Sequence, residues 1–385
     1  MDRRTLLKKG GLVLGAGLVG CAPAIGTVSS RRPMRRLVPV QASWERVIRT
    51  TVGLRPYRPS GFVLRADRLD AKTLIQNYGH GGSGMSLSWG TAQMAAELAL
   101  QQPERRAAVI GCGVAGLTTT RQLQRRGFDV TIYAMSVPPN TTSNMSIAAW
   151  TPTSGLVATA MRTTEWDAQL RQAARIAYQQ LQLLVGREYG VSWLEGYRVS
   201  NSEPGGGQEG GVSGVQPEPL LPPELLVGAT VLGPGEHPFP TRFATLRPSL
   251  RIEPSIYLDA LVRDVREAGA SIVIRRFDSP RDLASLPEDV IVNCTGLGAG
   301  ELIGDVEIRP LRGQLTHVMP QPEVDYSTFG GTSPSPSGFL QMAPRSDGIA
   351  LGGTSQEGNW SLEPDEEARR RVVDAHIELF AGMRG

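Results

Sequence analysis

The segment AAVIGCGVAGLTTTRQLQRR contains three glycines with the spacing Gly111-x-Gly113-x-x-Gly116. Between a strand and a helix, the first glycine permits a tight turn, the second lets the backbone approach a pyrophosphate, and the third lets the helix pack on the strand. The apolar run 107–110 predicts a buried strand before the turn, and residues 117–126 predict a helix after it. This pattern predicts a dinucleotide site. The alternative is an α/β core with a glycine-rich turn and no ligand.

The second strand of this unit, residues 130–133, is followed by Met135. Dinucleotide-binding folds usually place an Asp or Glu near this point, where its carboxylate binds the ribose hydroxyls. A methionine cannot supply this carboxylate, which argues against NAD as the cofactor. If the cofactor is FAD, its ribose depends on other contacts.

Cysteines and histidines are few and do not form a catalytic or metal-binding pattern. Cys21, Cys112 and Cys294 lie far apart, so they predict neither a disulfide framework nor a metal site. None of the four histidines pairs with a Ser or Cys motif typical of a hydrolase, and His80 sits in a glycine-rich turn where a structural role is expected.

Length and composition predict a globular protein of about two domains, since 385 residues exceed the size at which a single core usually stops growing. The formal net charge of +3 comes from the first 36 residues, which hold eight Lys or Arg and one Asp. The remainder has 32 basic and 36 acidic residues, about −4. The charge therefore gives no reason to expect a nucleic-acid partner.

The basic leader contains Arg3 and Arg4, an apolar stretch over 10–20, and the sequence LVGC ending at Cys21. It resembles a twin-arginine export signal that ends in a lipobox, and the apolar run is short for a membrane span. We therefore expect an exported protein on the periplasmic side, held to a membrane surface by a lipid on Cys21. The alternative is a short uncleaved anchor or a misplaced start codon.

Further along, strand-like stretches between 36 and 70 lead to a glycine-rich turn and a helix that includes 94–98. Helices are also predicted over 165–186, 255–268 and 363–382, and strands over 271–276 and 290–292. The β-branched run 290–292 indicates a strand buried on both faces of a parallel sheet. The glycine-rich stretch 203–219 indicates a solvated surface insert, and a segment that covers the active site is the alternative.

Five separated segments resemble the D-amino-acid oxidase family. They are VGLRPYRPSGFVLRAD (52–67), NYGHGGSGMSLSWG (77–90), TTSNMSIAAWTP (141–152), DVIVNCTGLGAGEL (289–302) and LGGTSQEGNW (351–360). The resemblance covers essentially everything from residue 36 onward. It implies an α/β fold with a Rossmann-like FAD-binding domain and a mixed-sheet substrate domain.

The order of these segments differs from the family's, in which the glycine loop comes first and the GLRP and NYGHGG segments come last. We therefore predict a circular permutation, which is tolerated where the original termini are close in space. The predicted divisions are 1–35 export signal and linker; 36–58, 163–254 and 309–385 substrate domain; and 59–162 and 255–308 FAD-binding domain.

The resemblance also implies roles for individual residues. Arg55 of GLRP would bind the substrate carboxylate, because a planar guanidinium can form a bidentate pair with it; a surface ion pair is the alternative. Gly82 of HGGSG would place backbone groups beside the substrate amine and the flavin. Both are predicted to be catalytic.

The cofactor would be held by two glycine-rich turns, a hydroxyl-rich turn for which simple capping is the alternative, and two strand ends. The predicted cofactor-binding residues are Gly81, Gly82, Gly84, Ser86, Gly111, Gly113, Gly116, Thr141, Thr142, Ser143, Phe277 and Thr295.

One segment departs from the family. Where its members present two tyrosines over the substrate, this chain has Ser337 and Gln341, which are the predicted substrate-binding positions. The carboxylate end of the site thus matches the family, whereas the side-chain end does not.

We expect an enzyme that uses FAD to oxidise a D-amino acid, or a related small amino acid, with molecular oxygen as acceptor and hydrogen peroxide as product. The partners would be that small molecule, oxygen and a membrane surface, and a homodimer is kept open. Two alternatives remain: a dehydrogenase that passes electrons to a membrane carrier, and a catalytically silent flavin-binding lipoprotein.

Overall fold

The computed structural model of the chain describes residues 34–147, 149–202, 219–226, 228–332 and 340–384. Three sequence predictions fall outside these ranges: the export leader with Cys21, nearly all of the insert 203–219, and Ser337.

Fifteen strands and seven α-helices lie within the described ranges. The strands are β1 Val47–Tyr57, β2 Val63–Leu69, β3 Lys72–Tyr78, β4 Arg106–Ile110, β5 Asp129–Ala134, β6 Val191–Ser200, β7 Thr230–Leu232, β8 Phe243–Ile252, β9 Ser271–Ile274, β10 Val290–Asn293, β11 Arg309–Val318, β12 Tyr326–Gly330, β13 Gln341–Ala343, β14 Ile349–Gly352 and β15 Gln356–Glu357. The helices are α1 Gly84–Ala99, α2 Val114–Gln124, α3 Thr164–Leu183, α4 Pro254–Glu267, α5 Pro280–Ala284, α6 Ala299–Ile303 and α7 Glu366–Ala381.

Six of these strands form one sheet in the order β2-β3-β10-β4-β5-β9. The pairs from β3 to β9 are parallel, and β2 is an antiparallel edge strand. All four residues of β10 are buried, which confirms the strand that the run 290–292 predicts at the centre of a parallel sheet. The carboxyl ends of β10 and β4 therefore lie side by side.

The other nine strands form a second sheet in the order β1-β11-β14-β13-β12-β6-β8-β7, with β15 added alongside β11. Among its pairs only β6 with β12 is parallel, within the residues that the structure describes. The longest pairing brings β1 against β11 and sets Arg55 opposite Leu311. Strands far apart in sequence thus meet where the GLRP motif lies.

Helices α1, α2, α3 and α4 pack in one hydrophobic cluster with the six-stranded sheet. The side chain of Thr163 caps α3 by accepting the backbone N–H of Trp166. That helix ends at Leu183, before the predicted Gly186, because the N–H of Gly186 donates to the carbonyl of Val191 at 2.8 Å. The chain forms an isolated β-bridge there, outside the named strands.

The fold is mixed α/β with two mixed sheets, as the sequence predicts. Strands of 59–162 and 255–308 lie in the six-stranded sheet, and those of 36–58, 163–254 and 309–385 lie in the nine-stranded sheet. The division into domains itself stays a prediction. No helix in the described ranges has the length and apolar character needed to cross a membrane.

Candidate active site

The glycine turn after β4 has the geometry that its spacing predicts. Gly111 has a φ of +112°, a conformation that side chains rarely adopt, and its N–H donates to the carbonyl of Tyr133 at 2.7 Å. A Cβ at Gly116 would lie 2.0 Å from the carbonyl oxygen of Gly111. These two glycines therefore allow α2 to pack directly against the turn.

Gly113 serves the open side of the same turn. A Cβ there would meet one neighbour within 4 Å, the hydroxyl of Ser143 at 3.1 Å. That hydroxyl accepts the N–H of Val114 at 3.0 Å, at the start of α2. The next N–H groups of the helix have no intrahelical acceptor, so they are available to an anion. This geometry fits the pyrophosphate of FAD.

The hydroxyl-rich turn 141–143 begins a loop that runs across the cavity to Thr151. The hydroxyl of Thr141 donates to Asn144 Oδ1 at 2.7 Å, and the backbone N–H of Trp150 donates to the carbonyl of Leu250 at 2.9 Å. We call residues 141–151 the flavin loop, because three of the predicted cofactor contacts lie on it. Position 148 is outside the described residues.

Ser86 is hydrogen-bonded to the flavin loop. Its hydroxyl accepts the N–H of Thr151 at 2.8 Å, and Ser86 is not among the residues that line the cavity. In this structure its hydroxyl is thus engaged with the loop that carries Thr141, Thr142 and Ser143.

The HGGSG turn packs tightly against residues 154–155. A Cβ at Gly81 would lie 1.8 Å from the carbonyl oxygen of Gly155, and one at Gly82 would lie 2.7 Å from that of Ser154. Side chains at these positions would force the backbones apart. Gly84, which starts α1, has no atom closer than 3.8 Å to such a Cβ.

His80 precedes this turn and is buried. Its Nε2 lies 3.0 Å from the hydroxyl of Thr91, and burial lowers the pKa of the imidazole to about 4. It is therefore neutral at pH 7 and anchors the turn to α1, in keeping with a structural role.

Arg55 is oriented by backbone carbonyls. Its Nε donates to the carbonyl of Leu311 at 2.9 Å, and its Nη2 donates to that of Thr354 at 3.1 Å. Gly313 leaves room for the guanidinium, since a Cβ there would lie 3.3 Å from Nη2. Burial lowers the pKa of Arg55 to about 10, so it remains charged at neutral pH. Among the described residues no carboxylate forms an ion pair with it.

A cavity of about 960 Å³ joins the glycine turn to Arg55. Its volume is sufficient for a large cofactor together with a small substrate. Most of the predicted site residues line it, whereas Gly116 and Ser86 support its walls. The predicted residues that line the cavity are Arg55, Gly81, Gly82, Gly84, Gly111, Gly113, Thr141, Thr142, Ser143, Phe277, Thr295 and Gln341.

One end of the cavity lies beside the ends of β5 and β9. The N–H of Arg275 donates to the carbonyl of Ala134 at 3.0 Å, and its guanidinium lies 4.6 Å from the ring centre of Phe277. Met135 is 71% exposed at this end. The charged lining residues here are Arg275, Arg276 and Glu301, and they are residues that the motif analysis missed.

Those three residues follow a strand or start a short helix without any motif of their own. The signal that could have found them is their position, because residues just after parallel strands collect at the ligand-binding edge of a sheet. Glu301 and Arg276 form an ion pair at 3.3 Å, so α6 contributes a carboxylate to the cavity that Met135 also lines.

A polar network supports the strand end that carries Thr295. The N–H and hydroxyl of Thr295 donate to Asn293 Oδ1 at 3.1 and 2.7 Å, and Asn293 in turn donates to Gln76 at 2.9 Å. Asn77, on the cavity wall, has a buried Oδ1 with no partner among the described residues. Such an acceptor is suited to a ligand donor.

At the Arg55 end, Trp360 and Leu362 line the cavity although they are 60% and 63% exposed. The buried Arg312 holds the segment that carries them, since its Nε donates to the carbonyl of Ser361 at 2.8 Å and its Nη1 to Gln356 at 3.0 Å. Sequence reasoning missed this arginine, because nothing local distinguishes it from an exposed one.

The two described cysteines are free and buried. Cys112 lies in the glycine turn and Cys294 at the end of β10, and burial raises the pKa of both thiols to about 12. They are therefore unreactive thiols at neutral pH. Over the ranges that the structure covers, no three His, Cys, Asp or Glu side chains cluster as metal ligands would.

The chain is similar to known proteins in both sequence and fold. The family model described as FAD dependent oxidoreductase (DAO) matches residues 28–98 and 106–384. A D-amino-acid oxidase of Rubrobacter xylanophilus is 32% identical over 282 residues, which cover 73% of this chain and 78% of that protein. A D-aspartate oxidase of Homo sapiens is 27% identical over 286 residues, which cover 73% and 77%.

Among solved structures, a glycine oxidase from Bacillus cereus superposes with a TM-score of 0.51 at 14% identity, over 73% of this chain and 81% of that one. At that identity the likeness concerns the fold.

Proposed function

The chain belongs to the DAO family of FAD-dependent oxidoreductases, and on that premise we propose that it oxidises a D-amino acid to the imino acid. Molecular oxygen is the final acceptor of the two electrons from the substrate and is reduced to hydrogen peroxide, while water hydrolyses the imino acid to the 2-oxo acid and ammonia. The substrate is the small molecule that the cavity accepts beside the cofactor.

The observation that carries this proposal is the position of Arg55. Its guanidinium lies in the cavity that the glycine turn also lines, and no described carboxylate neutralises it. A buried cation that is oriented by backbone carbonyls is suited to a ligand carboxylate, because the ligand supplies the missing charge.

FAD, when bound, supplies the acceptor for the hydride from the substrate α-carbon. Arg55 fixes the carboxylate end of the substrate. Gly82 lies against Arg55, since a Cβ at Gly82 would be 3.3 Å from Arg55 Cδ. Its lack of a side chain leaves room for the substrate amine beside the HGGSG backbone. Holding two of the four α-substituents in this way orients the α-hydrogen.

The buried histidine of the turn takes no part as a base, because burial lowers the pKa of His80 to about 4, which makes it a weak proton acceptor, and its Nε2 is engaged with Thr91. The substrate has to arrive with a neutral amine or lose its proton before transfer. The chain then only binds, orients and excludes water.

Anaerobic mixing of the yellow holoenzyme with a panel of D-amino acids tests the proposal. We expect loss of the oxidised flavin band with at least one D-amino acid and not with its L-enantiomer. Readmitted oxygen should restore the band and give one peroxide per substrate consumed. A flavin that no D-amino acid reduces would contradict the proposal, and reduction without peroxide would favour the dehydrogenase.

We also propose that the chain is circularly permuted. Tyr326 Oη donates to the carbonyl of Val38 at 2.9 Å and lies 3.7 Å from the sulfur of Met383. The segment before β1 and the end of α7 therefore meet, as they must if they are consecutive in the family's order. Residues 100–105 join α1 to β4, where the family match is also interrupted.

Export and lipid anchoring stay proposals that rest on Arg3, Arg4 and Cys21 of the sequence. Replacing Cys21 by Ser should release the protein from the membrane fraction, and replacing both arginines by Lys should retain it in the cytoplasm. Equal distribution of all three forms would contradict the anchor and the export route. The homodimer also stays a prediction.

A further inference from the structure

A buried arginine outside the cavity, Arg345, connects the turn between β13 and β14 to the flavin loop. Its side chain is 4% exposed, and its Nη1 donates to the carbonyl of Ser146 at 2.9 Å. Ser146 and Ile147 line the cavity, whereas Arg345 does not. The contact therefore joins a strand turn of the nine-stranded sheet to the middle of the loop.

The guanidinium of Arg345 is fixed by a bidentate ion pair with Asp347. Its Nε and Nη2 each lie 2.7 Å from one oxygen of that carboxylate. Arg49 approaches the same carboxylate, with its Nη2 at 2.6 Å from Oδ2. Because two of the three guanidinium nitrogens face Asp347, Nη1 is left pointing at Ser146.

The turn that carries Arg345 is itself held in place. The N–H of Ser346 donates to Glu253 Oε2 at 2.7 Å, and Arg251 Nη1 donates to the carbonyl of Pro344 at 3.4 Å. Arg251 also pairs with Glu253 at 3.3 Å. Residues 344–347 are thus hydrogen-bonded to Arg251 near the end of β8 and to Glu253, which joins β8 to α4.

The flavin loop has firm attachments on either side of Ser146. The hydroxyl of Ser143 accepts the N–H of Val114 at 3.0 Å, and the N–H of Trp150 donates to Leu250 at 2.9 Å. Between them, the N–H of Ser146 has a long contact of 3.4 Å to Ser143, and its hydroxyl is buried with no partner among the described residues. The Arg345 bond is the short polar contact at this point.

We propose that Arg345 is a positioning residue, which sets Ser146 and Ile147 against the bound FAD and so couples cofactor binding to the nine-stranded sheet. The inference rests on FAD binding and not on the identity of the substrate. Failure of every D-amino acid as a substrate would leave it intact.

Replacement of Arg345 by Met tests this role with little risk to the fold. Asp347 keeps Arg49 as its partner, so no unpaired buried carboxylate results. The carbonyl of Ser146 loses its donor, and the loop can move away from the cofactor. Arg345→Lys keeps the charge, but an ammonium cannot span both Asp347 and Ser146 as the guanidinium does.

In the test, apoprotein is titrated with FAD. Binding is measured from the quenching of flavin fluorescence and from the shape of the visible flavin band. We expect the Kd for FAD to rise about tenfold in Arg345→Met and roughly threefold in Arg345→Lys, with an altered band in both. The matched control is Arg175→Met, which removes an exposed ion pair with Glu224 and should leave Kd within about twofold.

A purely structural role would lower the melting temperature of the apoprotein and leave the Kd and the spectrum unchanged well below that temperature. Wild-type Kd and spectrum in Arg345→Met would therefore overturn the proposal. If that variant does not fold, Arg345→Lys decides, because an unchanged Kd and spectrum there have the same meaning.

Discussion

The Nε of Arg55 donates to the carbonyl of Leu311 at 2.9 Å, across the pairing of β1 with β11. The guanidinium is thereby aimed by the backbone of a neighbouring strand, and its charge is left for a ligand. Its direction is set by backbone carbonyls of Leu311 and Thr354, and the contact with the Ser355 hydroxyl is longer, at 3.4 Å.

Removal of that charge should abolish binding of the substrate carboxylate while FAD binding persists. We expect Arg55→Met to lower kcat/KM by about 100- to 1,000-fold, because it leaves a buried carboxylate unpaired. Arg55→Lys should recover only part of this loss, since an ammonium lacks the planar fork. Steady-state kinetics and the visible flavin band measure the two properties. Wild-type kcat/KM in both variants would exclude the role.

Neutral side chains should be preferred over acidic ones. Arg55 is the one cation that lines its end of the cavity within the described ranges. D-Aspartate and D-asparagine have nearly the same shape, so their comparison isolates one charge. We expect D-asparagine to have the higher kcat/KM by about 100-fold.

Gln341 offers the matched variant for that comparison, because it lines the same cavity as Arg55. Gln341→Arg should reduce the gap between the two substrates by about tenfold, through a second carboxylate partner. Equal kcat/KM values in the unaltered enzyme would contradict the preference for neutral side chains.

The two glycines Gly113 and Gly116 should separate cofactor binding from folding. A Cβ at Gly116 would lie 2.0 Å from the carbonyl oxygen of Gly111, so Gly116→Ala should lower the melting temperature of the apoprotein. A Cβ at Gly113 meets only Ser143 at 3.1 Å, so Gly113→Ala should leave that temperature nearly unchanged and weaken FAD binding at least about tenfold. Thermal melts and FAD titration measure the pair, and the reverse pattern would contradict the assigned roles.

Acid should destabilise the protein before its carboxylates titrate. Burial lowers the pKa of His80 and His376 to about 4 and that of His317 to about 3, all below the ordinary 6.5. Between pH 6.5 and about 4 the unfolded chain takes up protons that the folded chain refuses, so stability falls as the pH falls. Each histidine contributes up to about 1.4 kcal/mol per pH unit.

Melting temperatures between pH 7.5 and 4.5 measure this slope. His80→Gln can keep the contact with Thr91 and removes one titrating group, so its slope should be shallower than that of the unaltered protein. Identical slopes for both proteins would show that His80 does not contribute.

A gene in the family's order should encode an equivalent enzyme. Joining residues 106–384 through a short glycine-serine linker to residues 36–100 uses the proximity of Val38 and Met383 at Tyr326. We expect the rearranged protein to bind FAD with an unchanged Kd and to keep its kcat. The control is a protein with the linker placed inside β10 instead. Because β10 is buried and paired on both sides, this protein should not fold.

Local features of the fold could be predicted from the sequence. The glycine spacing predicts the turn between β4 and α2, because the positive φ of Gly111 and the close contact of Gly116 with the carbonyl of Gly111 both arise within six residues. The β-branched run 290–292 predicts β10 as a buried parallel strand, because this signal also lies within a few consecutive residues. Helix ends differ by a few residues where a hydrogen bond outside the helix, such as that of Gly186 with Val191, replaces a helical one.

The residues that orient the site could not be predicted in this way. Arg345 bonds Ser146 across 199 positions, and Arg312 bonds Ser361 across 49. An arginine in a sequence is by default an exposed one, and only the folded chain shows which carbonyl its guanidinium meets. The same holds for Ser86, whose hydroxyl serves the flavin loop at Thr151.

During synthesis the pairing of β1 with β11 is delayed, because the two strands are far apart in the sequence. Arg55 leaves the ribosome 256 positions before Leu311, the residue that aims it. At ordinary translation rates this interval lasts roughly 10 to 50 s. During that time β1 has an unpaired edge of eleven residues, which is a template for pairing with another nascent chain. The strand that carries Arg55 is thus also a segment that is exposed to pairing with other chains while the protein is being made.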